Sequence, residues 1–553
     1  MPTIEVSLSD LNGLIGRRLT LNELQEAMLY AKGEVEASEG DTVKLEIKDS
    51  NRPDLWSAEG IAREIQGRYT TKRGLPKKYI VKKGKVVVKV DAKMKNVRPY
   101  TVCAVARNLK IDKDVLSQMI QLQEKVATTF GRNRKEVAIG YYDLDKIKPP
   151  IRFMTVKPDG IKFVPLDFDR EMTPREILEM HPKGKEFAHL LKGTSEYPMF
   201  IDANDNVLSI PPIINSDISG RVTEKTKNLY IEASGFNLKF LVPAVNVLVA
   251  ALADRGATIE SVTVKYPDKT LVTPDLSPKK AFVDVDYVNK VAGMKLTAKE
   301  IVELLKKARY DAIVKEKGKR IEVLYPCYRQ DIMHQADIAE DVLVSYGYNK
   351  IEPVMPKLAT IGGNDPREVM SNKVAKVLVG LGMQEILSYI LTSKANLFKK
   401  MNIKETPVVE IENAVSENWS IFRTSILPNL LEFLSVNQHV EYPQRIFEIG
   451  DVTLLDEKKE TKTRDVRKIA AAIADTKISY EEISSLLDAL LTSFGVKYVL
   501  RKISHPSFIE GRAAEIVVDN KSIGLVGEIS PGVLKNWQME MPVATFEISL
   551  EIF

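Results

Sequence analysis

Four carboxylates lie within the fourteen residues YRQDIMHQADIAED, residues 328–341: Asp331, Asp337, Glu340 and Asp341. If a helix begins at Asp337, the acids three and four positions later share one face of it, while apolar residues cover the opposite arc. Asp337 with Glu340 also matches a capping box. Mg²⁺ usually takes only one or two protein carboxylates and keeps several waters. The spacing therefore favours a helix cap and a solvated face over a metal site, and it leaves the metal site open.

A second set of polar residues comes from two neighbouring stretches. In SIPPIINSDISGR, residues 209–221, two prolines stiffen a loop that presents Asn215 and Ser216. In LYIEASG, residues 229–235, strand alternation puts Glu232 and Ser234 on one face. Each of these residues by itself is more often a turn or surface group, so only their combination suggests a site.

The common signatures of nucleotide binding and hydrolysis are absent: no G-x-x-x-x-G-K-[ST], G-x-G-x-x-G after a strand, H-E-x-x-H or G-x-S-x-G occurs. The five histidines are scattered, and His181 is interpreted as a helix-end residue. The two cysteines, Cys103 and Cys327, are far apart and support neither a disulfide framework nor a thiolate zinc site.

Composition predicts a soluble, multidomain globular protein without a membrane span, since 553 residues suggest about three or four domains. The N-terminus lacks a secretory or transit signal, which predicts a cytoplasmic protein. The net charge of +5 does not by itself indicate nucleic-acid binding. The stretch Arg68 to Lys89, however, carries nine basic residues and no acid. It can follow a phosphate backbone, or it can be a solvated linker with a lysine-rich strand edge that blocks aggregation.

Four regions are predicted: a small α/β domain (1–85), a mixed α+β domain (86–270), a small helical domain with the acidic cluster (274–352), and a C-terminal region of helices on an antiparallel sheet (365–553). Capping boxes at Thr20–Glu23 and Thr173–Glu176 start helices, the first ending at Gly33, and Ser57 or a neighbour caps another. The strands RIFEIGDVTLL, KIAAAIADT, AAEIVVD and SIGLVGEI alternate in the last region. Neither repeats nor low-complexity tracts occur.

Four strings in order resemble one family. YPCYRQDIMHQADIAEDVLVSYGYNKIEP resembles the small helical domain of the β subunit of phenylalanyl-tRNA synthetase, and NRPDLWSAEGIAREIQG resembles its N-terminal domain. VLSIPPIINSDISGRVTEKTKNLYIEASG resembles its editing domain. FRTSILPNLLEFLSVN with RIFEIGDV, and HPSFIEGRAAEIVV with GLVGEISPGVLKNW, resemble its C-terminal domain. The length and the missing insertions are similar to the archaeal and eukaryotic form.

The resemblance implies an α+β multidomain fold that includes an editing domain, a small helical or winged domain and a C-terminal domain similar to class II synthetases. It implies an (αβ)₂ heterotetramer that binds tRNA(Phe), with ATP used at the α-subunit site. It also implies a Mg²⁺ ion, shared with the α subunit, at Asp331, Asp337, Glu340 and Asp341.

Editing of tyrosyl-tRNA(Phe) is the activity that the resemblance assigns to this chain. In that reading Glu232 accepts the tyrosine hydroxyl proton, Asn215, Ser216 or Ser234 positions a water, and Leu208 lines the ring pocket. The sequence departs from the expected archaeal pattern, because Glu232 and Ser234 stand where Asp and Thr are expected. The pocket dimensions are therefore expected to differ.

The C-terminal region lacks the catalytic motifs of class II synthetases. It has FRTS where F-R-x-E is expected, and VATFEISLEIF contains neither glycine nor arginine. Arg423 is interpreted as a structural salt-bridge or interface residue, and amino-acid activation is assigned to the α subunit. Two alternatives remain: a freestanding nucleic-acid-binding or scaffold protein, and a stand-alone aminoacyl-tRNA hydrolase.

Overall fold

A computed structural model describes residues 2–76 and 79–552 of the chain. Lys77 and Lys78, two of the nine cations in the basic stretch, lie outside the described residues. The chain forms two compact units, Met1–Val354 and Met355–Phe553, called here the first and the second unit. The multidomain α+β class predicted from the sequence is confirmed at this level.

The first unit begins with a three-stranded sheet in the order β1-β3-β2, packed against helices. The capping box of Thr20 and Glu23 is confirmed at α2, and the Ser57 hydroxyl accepts the Gly60 amide at the start of α3. Gly33 does not end the α2 helix, because a short helical turn closes at Ala31 and Gly33 opens β2. The elements are β1 Thr3–Ser7, α1 Leu8–Ile15, α2 Leu21–Met28, β2 Gly33–Glu39, β3 Thr42–Ile47 and α3 Ala58–Tyr69.

An eleven-stranded sheet forms the centre of the first unit. Its strands follow the order β11-β10-β9-β8-β5-β13-β6-β12-β7, and β4 and β14 also pair with β13. Its strands are β4 Val81–Lys82, β5 Val87–Val90, β6 Tyr100–Arg107, β7 Val137–Asp143, β8 Ile151–Val156, β9 Tyr197–Ile201, β10 Val207–Ile210, β11 Ile214–Asn215, β12 Leu229–Gly235, β13 Thr258–Lys265 and β14 Thr270–Thr273. The chain thus enters this sheet at Val81, before the boundary predicted at residue 85.

The two ends of the central sheet meet. Tyr142 on β7, at one end of the strand order, donates a hydrogen bond of 2.7 Å to Ser209 on β10, near the other end. The sheet therefore curls around a core that includes Val88, Phe153 and Tyr230. The accompanying helices are α4 Lys113–Lys125, α5 Pro174–Met180, α6 Pro182–Phe187, α7 Asp217–Gly220 and α8 Leu238–Asp254.

Helix α8 is the most apolar helix of this region and packs on strands β6 and β12. Its side chains are buried on nearly all sides, which is the pattern of a core helix in a large domain. Among the helices of the described residues, none has both the length and the apolar character needed to cross a membrane.

The last part of the first unit is a three-stranded sheet, β15-β17-β16, with helices on one side. AFVDVDYV reads as a single strand, but a helix begins at Val285, because Val285 and Val288 also fit a helical spacing. The elements are β15 Lys279–Asp284, α9 Val285–Ala292, α10 Ala298–Lys307, β16 Asp311–Lys315, β17 Arg320–Tyr325 and α11 Gln335–Tyr346.

The second unit contains a seven-stranded sheet in the order β18-β21-β22-β26-β25-β24-β23. All neighbours are antiparallel except β18 and β21, so the predicted antiparallel sheet with helices is confirmed; its likeness to class II synthetases stays a prediction. The elements are α12 Pro366–Gly380, β18 Gln384–Glu385, β19 Leu391–Thr392, β20 Ile421–Phe422, α13 Leu427–Val436, β21 Gln444–Leu455, β22 Thr463–Ala474, α14 Tyr480–Ser493, β23 Val499–Lys502, β24 Phe508–Val518, β25 Lys521–Ile529, α15 Pro531–Asn536 and β26 Val543–Ser549.

Candidate active site

A cavity of about 100 Å³ lies where the two ends of the central sheet meet. The end of α4, strands β7 and β12, and the loop from β10 to β11 form its walls. Much of the wall is apolar and includes Ile139, Ile210 and the Pro211–Pro212 pair, whose peptide bond is cis. The polar residues in the wall are Gln123, Glu124, Arg134, Ser209, Asn215 and Glu232. Polar groups set among apolar side chains are typical of a small-molecule site.

Glu232 is the acid of this cavity. It lies on β12 and is 2% exposed, and its Oε2 atom is buried without a hydrogen-bond partner among the described residues. Burial raises the pKa of Glu232 to about 8, against the lowering effects of the Tyr142 hydrogen bond, the charge of Arg98 and the Ser234 hydroxyl. At neutral pH the carboxyl group is therefore mostly protonated, so it can donate as well as accept a hydrogen bond.

The Tyr142 hydroxyl ties Glu232 to the opposite wall. It lies 3.1 Å from Glu232 Oε1, 2.7 Å from Ser209 Oγ and 3.4 Å from Asn215 Oδ1. The Asn215 amide is itself held, because Nδ2 donates to the Tyr141 carbonyl at 3.3 Å. Gly140, which pairs with Glu232, leaves room for this hydroxyl, since a Cβ atom at Gly140 would lie 2.3 Å from it. The polar atoms of the cavity are thus preorganised.

Two arginines hold the turn between α4 and β7. The buried Arg98 donates from Nε to Ser234 Oγ at 3.1 Å and from Nη atoms to the carbonyls of Arg134 and Lys135 at 3.2 and 3.3 Å. Arg134, in the left-handed region at φ 64°, donates to the Ile213 carbonyl and to Glu124 at 3.0 and 2.8 Å. This turn therefore fixes the loop from β10 to β11 against β12.

The structure brings only two of the five residues predicted for editing to the cavity wall, Asn215 and Glu232. Leu208 packs in the central core instead of lining the pocket. The Ser216 hydroxyl caps α7, and the Ser234 hydroxyl accepts from Arg98, so neither side chain lines the cavity. His181 caps α6, accepting the Lys183 amide at 3.1 Å, which confirms its interpretation as a helix-end residue.

A second cleft, of about 280 Å³, adjoins the cavity. The two share the wall residues Gln123, Glu124, Leu166 and Asn215. The outer walls are largely apolar and include Ile120, which is 49% exposed, while Arg221 contributes a cation. The Arg221 guanidinium is paired with Asp217 and Asp167 at 2.7 and 3.0 Å. The cavity and the cleft together can take a ligand with an inner and an outer part.

The acidic cluster has a different arrangement. Arg329 is buried and donates to both oxygens of Asp331 at 2.8 and 2.6 Å, and to Asp341 Oδ2 at 2.8 Å. Asp341 Oδ2 also accepts a short hydrogen bond from the Tyr310 hydroxyl. Burial alone would raise the pKa of Asp331, but the charge and hydrogen bonds of Arg329 hold it well below its usual range. Two of the four acids thus belong to a buried ion-pair network.

The other two acids lie at the start of α11, and the expected cap is shifted. His334, not Asp337, is the N-cap residue, and Asp337 accepts the amides of Met333 and His334 at 2.8 and 2.7 Å. The helix begins at Gln335, so Asp337 takes the third position of the capping box rather than the first. Glu340 instead pairs with Lys32 at 2.7 Å.

These contacts test the predicted magnesium site. Within residues 2–76 and 79–552, no three His, Cys, Asp or Glu side chains are grouped so that they could hold a metal ion. The oxygens of Asp331, Asp337 and Asp341 already accept hydrogen bonds from this chain's own groups. The acids therefore do not fit a magnesium site formed by this chain alone, and an ion shared with an α subunit stays a prediction.

Comparison with known proteins gives the family. The curated phenylalanine–tRNA ligase beta subunit of Pyrococcus horikoshii is 50% identical over 554 residues, covering 100% of this chain and 99% of the relative. That of Thermococcus sibiricus is 48% identical over 557 residues with the same coverage. The chain belongs to the phenylalanine–tRNA ligase beta subunit family.

Family models and a solved structure agree with this assignment to the beta subunit family. The B3/4 domain model matches residues 85–242 and the tRNA synthetase B5 domain model matches 281–348. The model of the phenylalanyl-tRNA synthetase beta chain CLM domain matches 351–550. A crystal structure of an N-terminal fragment of the Pyrococcus horikoshii beta subunit, 51% identical, covers 63% of this chain and 100% of the fragment with a TM-score of 0.61. The cavity thus lies in the B3/4 region and the acidic cluster in the B5 region.

In the CLM region two cations, Arg423 and Lys468, have acid partners. Arg423 is buried, with Nη1 2.8 Å from Glu448 Oε1 and Nε donating to the Asp451 carbonyl at 3.0 Å, which confirms the predicted structural salt bridge. Lys468 pairs with Glu547 at 2.6 Å. Glu547 Oε2 also accepts the amides of Ile426 and Leu427 at the start of α13, at 2.6 and 3.3 Å.

Residues that hold the polar groups of the cavity in place are missed by sequence reasoning. Tyr142 and Arg98 carry no motif, and Tyr142 reads as one more aromatic residue of a buried strand, while Ser209 lies in the candidate stretch 209–221 but is not singled out there. The GRNR turn, residues 131–134, gives a weak signal through its glycine and asparagine, which tolerate positive φ. The pairing of β7 with β12, and the closing of the sheet, determine which polar groups meet.

Proposed function

We propose that the cavity of the B3/4 region hydrolyses tyrosyl-tRNA(Phe), so that this beta subunit clears a product mischarged by its ligase. The observation that carries the proposal is the buried Oε2 atom of Glu232, which has no hydrogen-bond partner within residues 2–76 and 79–552 and belongs to a wall residue of the 100 Å³ cavity. Benzene occupies an apolar cavity of about 150 Å³, so an aromatic ring would fill this smaller cavity and extend toward the adjoining cleft. A tyrosine side chain supplies both the ring and the missing hydrogen-bond partner.

The missing partner gives the cavity its selectivity. A phenylalanine ring would leave Oε2 of Glu232 without a hydrogen-bond partner from the ligand, and an unsatisfied buried polar group costs roughly 1–3 kcal/mol. A tyrosine hydroxyl can accept from the protonated acid or donate to it. Sites built to bind a hydroxyl reject the analogue that lacks it far more strongly than apolar pockets reject an added hydroxyl. The correct product, phenylalanyl-tRNA, is therefore spared.

The adjoining cleft suits the rest of the substrate. With the tyrosine ring in the cavity, the ester would lie beside Gln123, Glu124 and Asn215, which line both the cavity and the cleft. These polar side chains can orient the attacking water. The terminal nucleoside of the tRNA then lies in the outer cleft, against Ile120 and beside Arg221. Hydrolysis consumes one water and releases tyrosine and tRNA.

Amino-acid activation is assigned to an α subunit. The buried Arg423 and the partly buried Lys468 of the second unit are already paired with Glu448 and Glu547, so neither cation is available to hold ATP without breaking an ion pair. We expect phenylalanine charging when the chain is mixed with a phenylalanine–tRNA ligase α subunit, and none from the chain alone. Charging by the chain alone would overturn this division of activities.

The editing proposal is tested with preformed tyrosyl- and phenylalanyl-tRNA(Phe). The Glu232→Ala variant is expected to hydrolyse tyrosyl-tRNA about tenfold more slowly, because one buried hydrogen bond between neutral groups, worth roughly 0.5–1.5 kcal/mol, is lost. The matched control is Ser216→Ala, whose hydroxyl lies outside the cavity wall and whose effect is expected to be within a few-fold. Equal hydrolysis by the Glu232→Ala variant and the parent chain would remove Glu232 from the site.

A further inference from the structure

Three cations stand in one row on the central sheet. Lys265 on β13 pairs directly with Lys89 on β5, and Lys89 pairs directly with Arg152 on β8. Directly paired residues project from the same face, and neighbouring strands lie about 4.8 Å apart. Lys89 and Lys265 are exposed. This row, called here the cationic row, lies on the face opposite the core that contains Val88 and Val264.

The cationic row does not protect an exposed edge of the sheet. The sequence left open that lysines of the basic stretch block a strand edge, but β5 lies between β13 and β8 in the middle of the sheet. Lys89 therefore needs another explanation. Like charges placed directly opposite each other destabilise a sheet. The row keeps such a pair, Lys265 beside Lys89, in an interior position.

Two of the three charges of the cationic row are not neutralised by the described residues of the first unit. Over residues 2–76 and 79–552, neither Lys89 nor Lys265 has an ion-pair partner, while Arg152 pairs with the exposed Asp205. Three further exposed lysines, Lys82, Lys83 and Lys85, precede the row on the same segment. The surplus positive charge calls for an anion from outside the chain.

The backbone of this segment is held tightly. The Gly84 amide donates to Ser261 Oγ at 3.2 Å, and a Cβ atom at Gly84 would lie 2.0 Å from the Ser261 carbonyl oxygen. Val87 and Lys89 then continue in parallel register with Thr263 and Lys265. The lysines are therefore presented from a fixed sheet rather than from a loose linker, which lowers the entropy lost when they bind a ligand.

We propose that the cationic row binds the phosphate backbone of tRNA. Regularly spaced cations on a rigid face suit a polyanion with regularly spaced charges, and binding would release its condensed counterions. The curated relatives are subunits of tRNA ligases, so tRNA is the polyanion that the family meets. The inference goes beyond the proposed editing function, because it concerns contacts on the outer face and not the cavity.

The test measures tRNA(Phe) binding to the full chain, alone and mixed with an α subunit, over a series of salt concentrations. The double variant Lys89→Glu/Lys265→Glu is expected to bind more weakly at low salt. The slope of log Kobs against log salt is expected to fall by about 2, since each phosphate-contacting lysine contributes about 1. The neutral variant Lys89→Gln/Lys265→Gln is expected to lower the slope equally and to melt no earlier than the parent, because the like-charge pair is gone.

A charge-matched control distinguishes an effect of the cationic row on tRNA binding from an effect of the total charge of the chain. Lys497 and Lys521 are exposed in the second unit, and Lys497→Glu/Lys521→Glu changes the total charge by the same amount. The proposal requires an unchanged slope in this control. Equal slopes for all variants and the parent, or an equal fall in the control, would overturn it. Hydrolysis of a small ester such as tyrosyl-adenosine is measured for the same variants, and the row variants are expected to keep the parent's rate. If the parent chain does not hydrolyse the ester, the editing proposal fails. If the salt slope of tRNA binding does not change in the row variants, the row proposal fails.

Discussion

Two regions of the first unit bury carboxylates, and the two regions treat them in opposite ways. In the cavity, Glu232 is buried with one oxygen that has no partner in the described part of the chain, and burial raises its pKa to about 8. In the network around Arg329, Asp331 is also buried, yet Arg329 keeps its pKa well below the usual range. Glu64, which belongs to the same network, has a pKa of about 2, because Arg52 and Arg68 outweigh the effect of burial.

The difference separates structural acids from an acid available to a ligand. A buried carboxylate with cationic partners is satisfied, and removing a partner leaves an uncompensated charge. A buried acid without such a partner stays protonated at a cost to stability, and such groups cluster at functional sites. In the sequence, the cluster of four acids is the candidate metal site. In the structure, the single Glu232 is the better candidate for an acid that contacts a ligand.

The largest expected effect comes from breaking the network. Arg329→Met removes the partner of Asp331 and Asp341, and the loss in unfolding free energy is expected to be about 3–5 kcal/mol at neutral pH. The penalty should shrink in acid, because protonated carboxyl groups no longer need the cation. Urea unfolding of the first unit can be followed by the fluorescence of Trp56, which is buried in it.

The control for this variant breaks an exposed pair of the same chemistry. Arg175→Met removes the partner of Asp159, both side chains being more than half exposed, and should cost less than about 1 kcal/mol. Replacing the tryptophans of the second unit, Trp419 and Trp537, by Phe leaves Trp56 as the reporter. Equal losses for the two arginine variants would contradict the comparison.

The second expected effect concerns Glu232, whose replacement should raise the free energy of unfolding at neutral pH instead of lowering it. The unfolded chain releases this proton near pH 4.5 and the folded chain only near pH 8, so folding takes up a proton between these values. Stability therefore falls as the pH rises through this window. Glu232→Gln removes the effect and should be more stable than the parent by about 3 kcal/mol at pH 7, with no advantage near pH 4.

This prediction is checked by unfolding curves at a series of pH values from 4 to 9. Glu34→Gln, which changes an exposed glutamate, is the matched control and should run parallel to the parent. If Glu232→Gln also runs parallel to the parent between pH 5 and 8, the carboxyl group is not protonated in the folded chain.

The smallest expected effect distinguishes a capping role of Asp337 at the start of α11 from a role as a metal ligand. Asp337→Ala removes the acceptor of two amides and should cost about 1 kcal/mol, whereas Asp337→Asn keeps an acceptor oxygen and should cost less. Both variants should leave the Mg²⁺ requirement of phenylalanine charging unchanged in the complex with an α subunit. A raised Mg²⁺ requirement in both would instead support the shared magnesium ion.

Local features of the fold are largely predictable from the sequence. The capping boxes of Thr20 and Thr173, the Ser57 cap and the long strands of the second unit follow from short-range patterns, and the structure contains them. Element boundaries are predicted wrongly where the apolar residues fit both the spacing of a strand and the spacing of a helix, as at Val285. The start of α11 was shifted because a histidine, rather than an aspartate, takes the cap.

The sequence by itself determined the family and the local elements. It also identified Asn215 and Glu232 as candidate site residues in two neighbouring stretches. The tertiary structure alone decided which polar groups share a wall. Tyr142, Ser209 and Glu232 come from three strands, and they meet because the curled sheet brings β7 and β12 against β10. It also decided that Asp331 and Asp341 are neutralised, because Arg329 lies between them. Strand order and sheet curvature depend on long-range packing, which short-range sequence patterns do not encode.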